Sequence, residues 1–188
     1  MASNHSLTTG KLSGILGKEL VFRDWDGKTV VAKAPKKRKG NPTSQQAETQ
    51  EKFLIASRYA RSVIKRENQD LANAYAAVLR PRQNVYSRAL EDFMSPPVVK
   101  SINTRTYKGA VGDLIVINAL DDFRVASVRV EIYAANGTLL EEGNAELNPE
   151  DIYWTYKATQ ANNPLAGSKI IVIATDVPRN EGILEVTL

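Results

Sequence analysis

The spacing of apolar residues along the chain changes twice, and each change marks a different kind of element. In "GKELVFRDWDGKTVVAKAP", residues 17–35, two runs rich in Val, Phe and Thr flank "RDWDGK". Asp26-Gly27 supplies the residue types that tolerate positive φ in a tight turn, so the stretch predicts a β-hairpin. Ahead of it, Gly10, Gly14 and Gly17 punctuate Ser, Leu, Lys and Ile. Glycine at that density costs too much helical stability, which predicts an extended arm.

From residue 43 the period lengthens to about four. Phe53, Ala56, Ala60, Val63 and Ile64 recur at three- and four-residue steps, with Arg58, Arg61 and Lys65 on the other face. Thr43 or Ser44 is placed to cap this helix and Gln46 to reach back to the cap. A second helix is expected in "NQDLANAYAAVLR", capped by Asn68 and stopped by Pro81, and a third in "RQNVYSRALEDFM", where Val85, Ala89 and Phe93 share a stripe.

From Val98 the period drops to two. "VVKSINTRTY", "VGDLIVINA", "SVRVEIYA", "GTLLEEGNAEL", "DIYWTYKAT", "SKIIVIAT" and "GILEVTL" are β-rich runs separated by turn residues such as Asp121-Asp122 and Asn136-Gly137. About seven strands in such a span is the pattern of an immunoglobulin-like sandwich, with Trp154 filling its centre, and "ATDVPRN" resembles the strand-turn segment closing many bacterial immunoglobulin-like modules. The fold class expected is α+β: an arm, β-hairpin and short helices over 1–97, then an all-β immunoglobulin-like sandwich over 98–188.

Composition narrows the class. At 188 residues, 43% hydrophobic and 24% charged, the chain reads as a soluble globular protein of one or two domains. No run approaches the roughly 18 apolar residues of a membrane span, and residues 1–20 hold no apolar block of signal-peptide length. The chain has no cysteine, which removes disulfides and every thiolate chemistry. The net charge of +4 conceals an asymmetry: residues 1–100 carry 18 Lys and Arg against 9 Asp and Glu, and residues 101–188 carry 7 against 12. A basic half favours an acidic partner, and opposite halves suit repeated packing of copies.

The basic excess concentrates in Lys36, Lys37, Arg38 and Lys39, between Pro35 and Gly40. Four adjacent cations can attract phosphates without sequence preference, yet no recognition motif or RNA-binding aromatic signature accompanies them. A solvated bridge or a protein contact is favoured over a nucleic-acid contact. Trp25 at the hairpin tip, Lys36, Lys37, Arg38, Lys39 and Arg58 are the candidate binding residues.

Catalytic constellations are scarce. His5 is the single histidine, so no Ser/His/Asp arrangement and no histidine metal site can be built within one chain. "GILGKE" lacks the phosphate-loop spacing. Asp113, Asp121, Asp122, Asp176 and Asn180 fall at strand ends, where hard oxygen ligands could gather a calcium ion. Asp and Asn also occupy turns because they bond nearby amides, and that reading is preferred. Glu141-Glu142 and Glu150-Asp151 are adjacent on strands and face opposite sides, which disfavours a paired-acid site. No enzyme activity, metal or cofactor is expected.

"LSGILGKELVFRDWDGKTVVAKAPKKRKGNPTSQQAETQEKFLIASRYA" resembles the opening of a group of uncharacterised proteins from Bacteroidetes and their phages, over roughly residues 10–65, with a weaker echo in "YSRALEDFM". The shared order is a glycine-spaced arm, an aromatic-bearing hairpin with a "DGKTVV"-like return strand, a basic bridge, "PTSQQ" and a Phe-containing helix. Asp24 stands before Trp25 where that group suggests an uncharged residue. The resemblance carries no activity over to particular residues, and its phage association implies a structural part.

The expected function is a non-enzymatic structural assembly protein of a virion, capsid or tail, assembled in the bacterial cytoplasm, docking through its arm on other protein subunits. The alternative is a cytoplasmic binding module, nucleic-acid-associated through the basic half or adhesive through the sandwich.

Overall fold

The computed structural model describes residues 13–25, 28–36, 40–148, 150 and 152–188. Among these residues it is a mixed α+β protein, mostly β, with three α-helices and eleven strands in three antiparallel sheets. By contact it divides between Thr43 and Ser44. The boundary expected at 97/98 lies inside the second unit, where Phe123, from beyond it, packs against the helical hydrophobic cluster.

The first unit is a meander of β1 (Gly14–Leu16), β2 (Leu20–Trp25) and β3 (Lys28–Lys33). The arm thus contributes a strand: Gly17 and Lys18 both take a φ of 61°, and Leu16 pairs with Leu20 across that turn. Such a turn needs two residues at positive φ; Gly17 supplies one without strain, and Lys18 takes the other at a steric cost. In the expected hairpin Trp25 pairs with Lys28. Asp26-Gly27 between them lie outside the described residues.

In the second unit α1 (Ser44–Val63) buries Ala56, Ser57, Ala60 and Val63. Phe53 and Ile64, placed by periodicity on the same stripe, are instead 50% and 54% exposed. A 3-10 turn, Arg66–Asn68, leads into α2 (Gln69–Ala76). Asn68 makes no side-chain cap on α2; its amide donates back to the Ser62 carbonyl at 2.8 Å, finishing α1 instead. The short α3 (Val85–Met94) starts on a reciprocal capping box in which Asn84 Oδ1 accepts from the Ser87 amide and Ser87 Oγ from the Asn84 amide.

The strands are β4 (Val98–Asn103), β5 (Leu114–Leu120), β6 (Val125–Tyr133), β7 (Leu139–Asn144), β8 (Glu146–Asn148), β9 (Tyr153–Lys157), β10 (Lys169–Asp176) and β11 (Glu181–Thr187). They form two four-stranded sheets, ordered β4-β5-β9-β8 and β11-β10-β6-β7. Alternate residues turn inward, as period two requires. Val99, Ile115, Ile117, Ala119, Trp154 and Tyr156 of one sheet share a core with Val128, Val130, Ile132, Ile170, Val172 and Ala174 of the other.

Two details go beyond the pattern. "GTLLEEGNAEL" reads as one strand but is two: at buried Ala145, whose amide donates to the Val128 carbonyl at 2.8 Å, the chain leaves one sheet for the other. Gly182 on β11 lies against the Pro97 carbonyl at the start of β4, where a Cβ would collide with backbone. Only glycine allows so close a backbone approach.

Candidate functional site

Three regions stand out among the described residues: exposed apolar residues in the first unit, exposed apolar residues on α1, and a charged cluster between α3 and the β5–β6 turn.

No described residue of 13–43 is buried. Ile15 and Leu16 are 68% and 63% exposed, and Leu20, Val30 and Val31 are exposed as well. The same holds for the first three turns of α1, where Ser44–Ile55 bury nothing and Phe53, Leu54 and Ile55 face outward. Of the candidate binding residues, Lys36 is exposed and Arg58 projects from α1 beside the exposed Arg61. Trp25 ends β2, its side chain outside the described residues, as are Lys37, Arg38 and Lys39. The structure therefore places Lys36 and Arg58 at the surface and says nothing of the rest of the basic run.

The charged seam is built by three segments. On α3, Arg88 and Asp92 are one helical turn apart and both buried. Arg88 Nη1 donates to Asp122 Oδ2 at 3.1 Å and Nη2 to the Asp122 carbonyl at 2.6 Å, tying α3 to the turn between β5 and β6. Phe123 in that turn stacks on Tyr75 of α2, ring centroids 4.3 Å apart, with the Arg88 guanidinium 5.8 Å from its ring centroid. The Tyr75 hydroxyl donates to Asp92 Oδ2 at 2.6 Å and lies 2.8 Å from the Tyr59 hydroxyl. Asp121 Oδ2 accepts from the amides of Phe123 and Arg124, at 3.1 and 2.9 Å.

These bonds leave a remainder. Asp92, Asp121 and Asp122 each present a carboxylate oxygen within 4.8 Å of the others. Asp92 Oδ1 and Asp121 Oδ1 are buried and accept no hydrogen bond. Burial, and then the neighbouring Asp121 and Asp122 carboxylates, hold the Asp92 carboxyl up to about 7 against the lowering effect of the Tyr75 hydrogen bond. The same burial, with hydrogen bonds to Asp92 and Tyr59, pushes the Tyr75 phenol far above its ordinary range.

The other acids read from the sequence sit elsewhere. Asp113 Oδ2 accepts from the amides of Lys108 and Ala110 at 2.7 and 2.9 Å, and those bonds hold its carboxyl below its usual range. Buried Asp176 accepts from the Asn180 amide and side chain at 2.6 and 2.7 Å, and Asn180 also donates to the Phe93 carbonyl, a second tie to α3. Burial raises the Asp176 carboxyl despite those bonds. Both act as turn-bracing residues. Glu141 is buried, its Oε2 accepting from the Tyr156 hydroxyl and from the amide and hydroxyl of Thr159, whereas Glu142 is exposed and 3.4 Å from Arg129. The two thus face opposite sides of β7. Asp151 and His5 lie outside the described residues.

Sequence reasoning singled out Asp121 and Asp122 but missed Arg88, Asp92 and Tyr75. An Arg and an Asp at i and i+4 on a short helix ordinarily mark a solvated face, and no local signal distinguishes this pair.

No family model matches the chain, and no curated protein matches it. Among solved structures, a crystal structure of an engineered protein from the Northeast Structural Genomics Consortium is similar over 48% of this chain, at 23% identity and a TM-score of 0.32. The match spans 19% of that protein's length, and a likeness of this size carries no argument about fold or function.

Proposed function

We propose that this protein is a non-enzymatic structural assembly component, docking on neighbouring subunits through its N-terminal meander and displaying an immunoglobulin-like module, in a virion. The observation carrying this reading is the first unit: a meander of three short strands whose described residues include Ile15, Leu16, Val30 and Val31 and not one buried side chain. Ordering a residue costs about 1–2 kcal/mol, and a small sheet without a covered face cannot offset it. A second surface is what such a sheet lacks. The exposed Phe53, Leu54 and Ile55 of α1 extend the same requirement.

The immunoglobulin-like part is supported by strand order. With β4 to β11 taken as A, B, C, C′, D, E, F and G, the two sheets read A-B-E-D and C′-C-F-G. That is the arrangement of immunoglobulin-type domains that add C′ beside C. The setting in a virion rests on the resemblance described above.

The test removes residues 1–43 and compares sedimentation and thermal melting with the full chain. The expected outcome is loss of higher assemblies with an unchanged melt for 44–188. A full chain that stays monomeric across the attainable concentration range, with amides of 14–33 protected from exchange, would sink the reading, since the meander would then stand alone. The exposed Lys36, Arg58, Arg61 and Lys65 favour a nucleic-acid-binding module as the competing reading. Salt-sensitive DNA or RNA binding at physiological ionic strength, together with intact assembly after the deletion, would replace one with the other.

A further inference from the structure

We propose that Asp92, Asp121 and Asp122 bind one divalent cation of calcium size at the seam between α3 and the β5–β6 turn. Three features point there. The first is spacing: ligand oxygens held about 2.3–2.6 Å from a calcium ion lie at most about 4.6–5.2 Å apart. Three carboxylate oxygens mutually within 4.8 Å lie no more than about 2.8 Å from a common centre, so side-chain shifts of a few tenths of an ångström at most bring all three onto one such ion.

The second is partnering. In each aspartate one oxygen is already engaged: Asp92 Oδ2 by the Tyr75 hydroxyl, Asp121 Oδ2 by two amides, and Asp122 Oδ2 by Arg88. Those bonds fix the side-chain rotamers. Asp92 is 0% exposed, and its Oδ1, like that of Asp121, is buried without a hydrogen-bond partner. A buried carboxylate oxygen without donor or cation is costly, and natural folds rarely leave two in one cluster.

The third is charge. Asp92, Asp121 and Asp122 share a seam into which Arg88 is the basic side chain seen to donate. A divalent cation would offset that surplus of carboxylates. All the ligands are hard oxygens, which suits calcium or magnesium over softer metals. Magnesium demands an octahedron and keeps several waters, whereas calcium accepts irregular, crowded carboxylates. Asp122 is exposed, giving an ion a way in. Bound there, the ion would clamp the helices to the strands.

The full chain, stripped with a chelator and returned to neutral buffer, is titrated with calcium by calorimetry and with terbium by luminescence. Tyr75, whose hydroxyl is 2.6 Å from Asp92, is the sensitiser. One ion per chain, a melting temperature that climbs with calcium, and terbium emission are expected. Asp121→Asn and Asp122→Asn should each weaken binding by more than about tenfold, as even outer-shell losses at metal sites do. Asp113→Asn, in a different turn, should bind as the wild type does. Asp122→Asn, altering an exposed residue, keeps the test readable if Asp121→Asn misfolds. A folded chain whose melt and heats ignore calcium would overturn the proposal and leave a proton held on the Asp92 carboxyl, shared with Asp122, as the alternative. Unchanged binding by both asparagine variants would overturn it as well.

Discussion

At the scale of the residue, burial sorts side chains that composition treats alike. Trp154, on β9, is 8% exposed and packs in the core shared by the two sheets, while the valines Val30 and Val31 of β3 are 46% and 50% exposed and Val128 and Val130 of β6 are fully buried. Replacing a buried Trp by Ala removes its apolar contacts and leaves a cavity, at a cost of about 3–5 kcal/mol. Trp154→Ala is therefore expected to lower the melting temperature of 44–188 steeply or to unfold it, checked by calorimetry. An unchanged melt would mean that Trp154 is a surface group. The acids divide in the same way: Asp113 braces a turn through two amides, and Asp92, at 0% exposure, has an oxygen with nothing to accept.

At the scale of the element, the strands after Val98 have a core of their own, and the helices are tied to them by few but specific contacts. Arg88 with Asp122, Tyr75 on Phe123, and Asn180 with the Phe93 carbonyl join α2 and α3 to the β5–β6 and β10–β11 turns. None of the fifteen buried residues of the strand cluster comes from a helix. A fragment of residues 98–188 is therefore expected to melt cooperatively, and at a lower temperature than 44–188, because Phe123 and Asp122 lose their partners. Calorimetry and amide dispersion in an NMR spectrum check this, and a fragment with collapsed dispersion and no cooperative melt refutes it. Removing Arg88 from a buried pair is harsher than removing an exposed one, since the partner is left uncompensated.

At the scale of the whole molecule, two kinds of surface coexist: a strand region with a closed core, and a first unit whose described residues include no buried side chain. Charge follows the same division, with 18 basic against 9 acidic residues over 1–100 and the reverse bias after. If the basic bridge contributes to contacts between subunits, then Lys36, Lys37, Arg38 and Lys39 changed together to Ser should weaken assembly in part. Added salt should mimic the change, since exposed charges are screened beyond about 8–10 Å. Sedimentation across a salt series reads this directly. An assembly insensitive to both would assign the bridge to solvent and leave the apolar meander as the docking element.

What the sequence determined by itself is what depends on near neighbours. The hairpin around Asp26-Gly27, three helices by their period, β-rich runs after Val98 and the inward place of Trp154 all follow from spacing and turn chemistry, which act over a few residues. The split of "GTLLEEGNAEL" at Ala145 was not legible, because leaving one sheet for another depends on where Val128 stands, and nothing local records that. Nor was the exposure of Phe53 and Ile64, since periodicity says which residues share a face but not whether anything covers it. The carboxylate seam was legible by half. Asp121 and Asp122 announced themselves as turn residues, but Asp92 and Arg88 look like any solvated pair on a helix. Only the tertiary structure brings them together, across 29 residues of chain from Asp92 to Asp121, and buries the Asp92 and Asp121 Oδ1 atoms, where an unpaired oxygen acquires a cost and so a meaning.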